Sequence, residues 1–179
     1  MYKRLTARTL AVLGVAGLIA AGLLVSPQPD ALAQGRLVIG GNRANFGIQN
    51  INAGFMPDPQ SFNIRSGGNL DIRPMGLGPS CRGHATATPD MIVNYRGTSP
   101  TGNLRFYFRS NQRGQDTTLV INDAGGNWHC DDDGGGNLNP MVTLNRPPAG
   151  QYDIWVGSYR DGQFIDGQLF VTELTSNRP

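Results

Sequence analysis

Beyond residue 33 this chain has no lysine, one glutamate (Glu173), two cysteines and two histidines. The missing lysine excludes Schiff-base and lysine-nucleophile chemistry. An excess charge of one sign is missing too. Of fifteen basic residues Lys3, Arg4 and Arg8 lie near the N-terminus, which leaves twelve arginines. Of thirteen acidic residues Asp30 lies there as well, which leaves eleven aspartates and Glu173. The remainder is neutral and has no basic stripe, which argues against nucleic acid or an anionic membrane as partner. No long stretch keeps a 3.6-residue apolar period, so a helical fold is not expected. No G-x-S-x-G occurs, and neither histidine stands in a protease-like context. A small secreted hydrolase or protease-associated enzyme, with His84 or His129 as base, is therefore an alternative and not the main reading.

The N-terminus reads as a secretory signal. Lys3, Arg4 and Arg8 precede an apolar run from Thr9 to Val25, and Ala31-Leu32-Ala33 is an A-x-A cleavage site. Cleavage would remove 1–33 and leave 34–179 as a single domain without a membrane span, in the periplasm or outside the cell. Cys81 and Cys130 are an even pair in an exported chain, so they are expected to form one disulfide.

Short β-branched and aromatic runs alternate with Gly, Pro and Asn clusters about every ten residues, which predicts an all-β sandwich. Arg36–Ile39 reads as a possible first strand. Ser61–Arg65 and Asn69–Arg73 flank Gly67-Gly68 and read as a hairpin. Met91–Tyr95, Leu104–Arg109, Thr117–Asn122, Pro140–Leu144, Gln151–Tyr159 and Leu169–Leu174 complete the set. Within Gln151–Tyr159 the alternation points Tyr152, Ile154 and Val156 inward. Trp155 lies opposite them and is expected to be exposed. Glu173 is expected to face solvent.

The segment from Asp116 to Asn139 holds the densest chemistry. A strand is followed by a turn at Asn122–Asn127, then Trp128, His129 and Cys130, three aspartates (Asp131, Asp132, Asp133) and three glycines. Carboxylates on a glycine-flexible loop suit Ca²⁺, which takes six to eight oxygens, and Asp116 and Asp123 are available to complete a shell. Adjacent strand-like aspartates point to opposite sides, which limits how many meet one ion. A solvated acidic turn is the plain alternative. A Cys81–Cys130 bridge would also bring His84 and His129 into one neighbourhood, where Zn²⁺ or Cu²⁺ is a lesser possibility. Trp128, Trp155 and Tyr159 are candidates for an aromatic ligand platform; core packing is the competing reading.

From about Pro89 to Leu174 the chain resembles the bacterial pre-peptidase C-terminal domain family. The resembling features are Pro89-Asp90, the strand Leu104–Phe108, the run from Asp116 to Asp123, the Gly126-Asn127-Trp128 turn, Asp131–Asp133, and Gly150–Tyr159. The segment before Gly83, with Cys81, lies outside the resemblance. The resemblance implies an antiparallel, jelly-roll-like sandwich with a binding role, and calcium in acidic loops as in some members. Read as a whole, the chain is expected to depart from the family in standing without a protease domain. The expected function is thus a non-catalytic, exported binding or accessory module, calcium-dependent in one version, for an extracellular polymer or protein partner. A structural envelope protein with no ligand is the third reading.

Overall fold

A computed structural model describes residues 35–179; the expected signal over 1–33 lies outside them. The strands are β1 (Ile48–Asn52), β2 (Gln60–Ser66), β3 (Leu70–Asp71), β4 (His84–Ala85), β5 (Met91–Arg96), β6 (Asn103–Ser110), β7 (Thr117–Asn122), β8 (Trp128–Asp131), β9 (Met141–Asn145), β10 (Gly150–Ser158) and β11 (Ile165–Thr172). The described residues hold one 3-10 turn, Arg73–Met75, and no α-helix. The runs richest in β-branched and aromatic residues form the central strands β5, β6, β7 and β10, as their pleated, half-buried positions favour.

Two sheets pack face to face. In the first, β10 is the hub. Its first half pairs with β5 and its last residue, Ser158, with β4, while β7 runs along the other edge and carries β8. β1 extends β5 and β3 extends β4. The second sheet has the order β2-β11-β6-β9 and is antiparallel throughout. One pair departs from the antiparallel expectation: β1 runs parallel to β5. Between them the chain crosses to the second sheet for β2 and returns to the first through β3 and β4, a connection long enough for a parallel pair.

Alternation sorts the side chains as expected between the sheets. Tyr152, Ile154 and Val156 of β10 meet Leu104, Phe106 and Phe108 of β6, and Leu169 and Val171 of β11, in one buried core. The opposite face of the first sheet is covered as well. There Trp155, Val120, Ile72, Ala85 and Cys81 form a second buried cluster, roofed by Leu37, Met75, Leu77, Trp128 and Cys130. The roof is the segment before β4, held to β8 by the Cys81–Cys130 disulfide, with Cα atoms 4.9 Å apart. The expected bridge is present, and it ties the part of the chain outside the family resemblance to the part inside it.

Three local expectations fail. Gly67-Gly68 is not a hairpin, because β2 pairs with β11 in one sheet and β3 with β4 in the other. These glycines let the chain slip between neighbouring backbones. A Cβ on Gly68 would lie 2.0 Å from the carbonyl carbon of Ala85, and one on Gly67 2.0 Å from the carbonyl oxygen of Gln163. Arg36–Ile39 is not a strand; Val38 donates one backbone bond to Ala87 O at 2.9 Å outside any ladder. Glu173 does not face solvent. It is buried, accepts from Gly54 N at 2.8 Å and from the Tyr95 hydroxyl, and so locks the end of the second sheet to the segment after β1.

Candidate functional site

The β7–β8 hairpin is built by one carboxylate. Asp123 Oδ1 accepts from Gly125 N and Asn127 N, both at 2.8 Å, and Oδ2 lies 2.8 Å from His129 Nε2. This is an Asx-type turn, which explains why Asp stands at the turn entry. Burial pushes the Asp123 carboxyl up, but the bonds from His129, Asn127 and Gly125 outweigh it and hold it below its ordinary value.

With the turn fixed, β8 places Trp128 and Cys130 on the outer face. Trp128 packs against Trp155 with ring centroids 5.8 Å apart at 38°. The two indoles differ in access. Trp155 is fully buried and its Nε1 donates to Ala87 O at 3.3 Å, whereas Trp128 is half-buried. The expectation of an exposed Trp155 is therefore wrong. The face opposite the main core is itself an interior, because the disulfide-tied segment covers it.

Trp128 walls two clefts. One, of about 680 Å³, is lined mainly by apolar side chains, Leu37, Leu70, Pro74, Met75 and Leu77, with Arg36 and Asp71 among the charged groups. The other, of about 370 Å³, is polar and runs past the disulfide, with Ser80, His129, Asp131 and Thr143 in its lining. Tyr159 is exposed but stands elsewhere, at the end of β10, where its N–H donates to Asp116 O at 3.0 Å. Of the three expected aromatic ligand contacts, only Trp128 lines these clefts. The apolar wall from Leu37 to Leu77 is absent from the sequence-level site. Its signal is the apolar residues Met75 and Leu77 set in a glycine- and proline-rich loop just before a disulfide cysteine.

The five aspartates expected to bind calcium do not form one shell. Asp123 is committed to the hairpin turn. Asp131 folds back, its Oδ2 accepting from Gly134 N at 2.7 Å and Met141 N at 2.8 Å, and so closes the glycine loop. Asp132 lies 3.6 Å from the Arg82 guanidinium. Asp116 is pushed up by burial and then by the nearby charges of Asp133 and Asp132, so these three are close enough to repel. Among the described residues, no three His, Cys, Asp or Glu side chains are placed to hold a metal ion. Alternation along β8 is the reason: Asp131 turns toward β9, and Asp132 and Asp133 follow beyond the strand end.

No family model and no curated protein matches the chain. A similar solved structure is the pre-peptidase C-terminal domain of collagenase from Bacillus anthracis. It is 15% identical, with a TM-score of 0.39, over 74% of this chain and 98% of that one.

Proposed function

We propose that this chain is an exported, non-catalytic binding module that takes an extracellular polymer or protein partner against Trp128. The observation that carries the reading is a half-buried indole standing between two clefts on a rigid hairpin, the larger cleft lined mainly by apolar side chains. Such a concave apolar wall with a few polar groups at its rim is the usual form of a ligand site. The hairpin is fixed by Asp123, and the opposite wall by the disulfide, so the site is pre-organised and loses little entropy on binding. The disulfide also supports an oxidising compartment.

A binding role fits His129 better than catalysis does. His129 Nε2 is held by the carboxylate that builds the turn. A hydrolytic base also needs a nucleophile within hydrogen-bond reach, and the bond His129 makes is to Asp123. The reading needs no calcium, because two of the five aspartates already have internal donors.

The test is co-sedimentation of residues 34–179 with a panel of insoluble polysaccharides and matrix proteins. A buried tryptophan anchor is worth about 2 kcal/mol or more, so Trp128→Ala should weaken capture roughly thirtyfold while the fold persists. His84→Ala, outside both clefts, should leave binding intact. Capture unchanged in Trp128→Ala would overturn the proposal.

A further inference from the structure

A third cleft, remote from Trp128 in its lining, carries an independent chemistry. It opens where β6 ends, between the Asn111–Gly114 turn and the loop before β9, and encloses about 740 Å³. Arg109, Arg113, Asn111, Asn137, Leu138 and Pro179 line it, and no carboxylate side chain does. Among the described residues neither arginine takes part in an ion pair. Beyond residue 33 the charges balance, and in this cleft two unpaired guanidinium groups outweigh the one α-carboxylate of Pro179.

The cleft is held rigidly. The Arg109 guanidinium lies 5.1 Å over the ring of Phe170, which stacks on Tyr107 at 4.7 Å and 12°. That platform fixes the guanidinium plane by cation–π contact and leaves its edge donors free. On the other wall Asn137 and Leu138 both adopt left-handed backbone, with φ of 56° and 62°. A left-handed Leu is an outlier that persists only where its surroundings over-determine it. Here buried Asn139 does so: its Nδ2 donates to Gly136 O at 3.1 Å and Asn137 O at 3.3 Å, and its Oδ1 accepts from Ser110 N at 3.3 Å. Asp131 holds the same loop from its other end.

Some backbone donors around the cleft are already used. Ser110 N bonds Asn139, Asn111 N bonds Asp166 O, and Thr117 N bonds Leu138 O. Arg113, Gly114, Asn137 and Leu138 lie in turns rather than along a strand edge, so an extended peptide finds no regular ladder of main-chain partners there. What remains is two guanidinium forks, the side-chain amides of Asn111 and Asn137, and the apolar surfaces of Leu138 and Pro179. Forks suit carboxylates, amides suit hydroxyls, and small apolar surfaces suit sugar rings. We propose that this cleft binds an acidic polysaccharide through its uronate carboxylates.

The experiment is calorimetric titration of residues 34–179 with oligogalacturonate, with its methyl ester and with oligoglutamate as comparison ligands. The expected result is binding of the uronate alone, weakened tenfold or more by Arg109→Ala and by Arg113→Ala. Arg73→Ala, away from the cleft, should change nothing. Arg113 lies on an exposed turn, so its variant tests the site without disturbing the Phe170 stack. Arg109→Lys, which keeps the charge but not the fork, should retain only part of the affinity. No uronate binding, equal binding of the ester or of oligoglutamate, or an equal loss in Arg73→Ala would overturn the proposal. Trp128→Ala should leave this binding unchanged, so its outcome is separable from that of the Trp128 site.

Discussion

Replacing Asp90 with asparagine should remove most of a pH dependence that runs opposite to ordinary acid denaturation. Asp90 stands just before β5 and is 1% exposed. Its Oδ2 accepts from Val156 N at 2.8 Å and its Oδ1 from Asn45 Nδ2 at 3.0 Å. It thus ties the segment before β1 to the hub strand β10. Burial raises its carboxyl from 3.8 to about 7, against the lowering effect of the Asn45 and Val156 bonds. The folded state therefore holds this proton more tightly than the unfolded chain. Stability from protonation is complete below the unfolded value, and it is lost as pH rises through the folded one. About three units at 1.36 kcal/mol each give roughly 4 kcal/mol lost between pH 4 and 8. For a domain of this size that is on the order of 10 °C in melting temperature. Asp116, also raised, contributes with the same sign, and Asp123, lowered, contributes only in more acid solution. The informative quantity is thus the difference between wild type and Asp90→Asn in urea unfolding at pH 5, 6, 7 and 8. The wild type should lead at pH 5 and lose most of that lead by pH 8. A difference constant across the series would refute the reasoning.

Three other outcomes follow from the same contacts. Cys81→Ser with Cys130→Ser opens a loop of 49 residues' separation, and the chain-entropy estimate is a loss of about 4 kcal/mol, measured by urea unfolding. Trp155→Ala should cost about 3–5 kcal/mol by leaving a cavity under the roof, whereas Trp128→Ala, half-buried, should cost clearly less; paired thermal melts check the order. Chelation with EDTA should leave the melting temperature unchanged, since Asp123 and Asp131 are satisfied by internal donors; a drop of several degrees would reinstate calcium.

Strands were legible where one sheet face meets the main core, because alternation then leaves a period of two. β6 and β10 show this: Leu104, Phe106 and Phe108, and Tyr152, Ile154 and Val156, all reach the same core. Reading the other face as solvent failed at Trp155, because what covers it is a loop more than seventy residues earlier, tied down by a disulfide. The pairing of Cys81 with Cys130 was legible from count and compartment, but its consequence, a second buried layer, was not. Gly67-Gly68 was misread because glycine serves turns and close approaches alike, and only the partner backbone tells them apart. In the acidic loop, composition showed the ligand atoms available but not their direction. Asp123 and Asp131 turn inward to backbone N–H groups, a local use that competes with any ion. Trp128 was legible as a site residue from its place between a turn and a flexible loop, while the apolar wall facing it came from distant segments.

The most direct test is a pair of NMR spectra, nitrogen-15 for the two indole N–H groups and carbon-13 for the methyl groups, recorded while the captured polymer or protein, in soluble fragments, is titrated in. Binding in the proposed cleft should shift the Trp128 signal and the methyl signals of Leu37 and Met75, and leave the signal of Trp155, bonded to Ala87 beneath the roof, nearly still. A ligand that binds while the Trp128 signal stays fixed and resonances on another face move would contradict the Trp128 site.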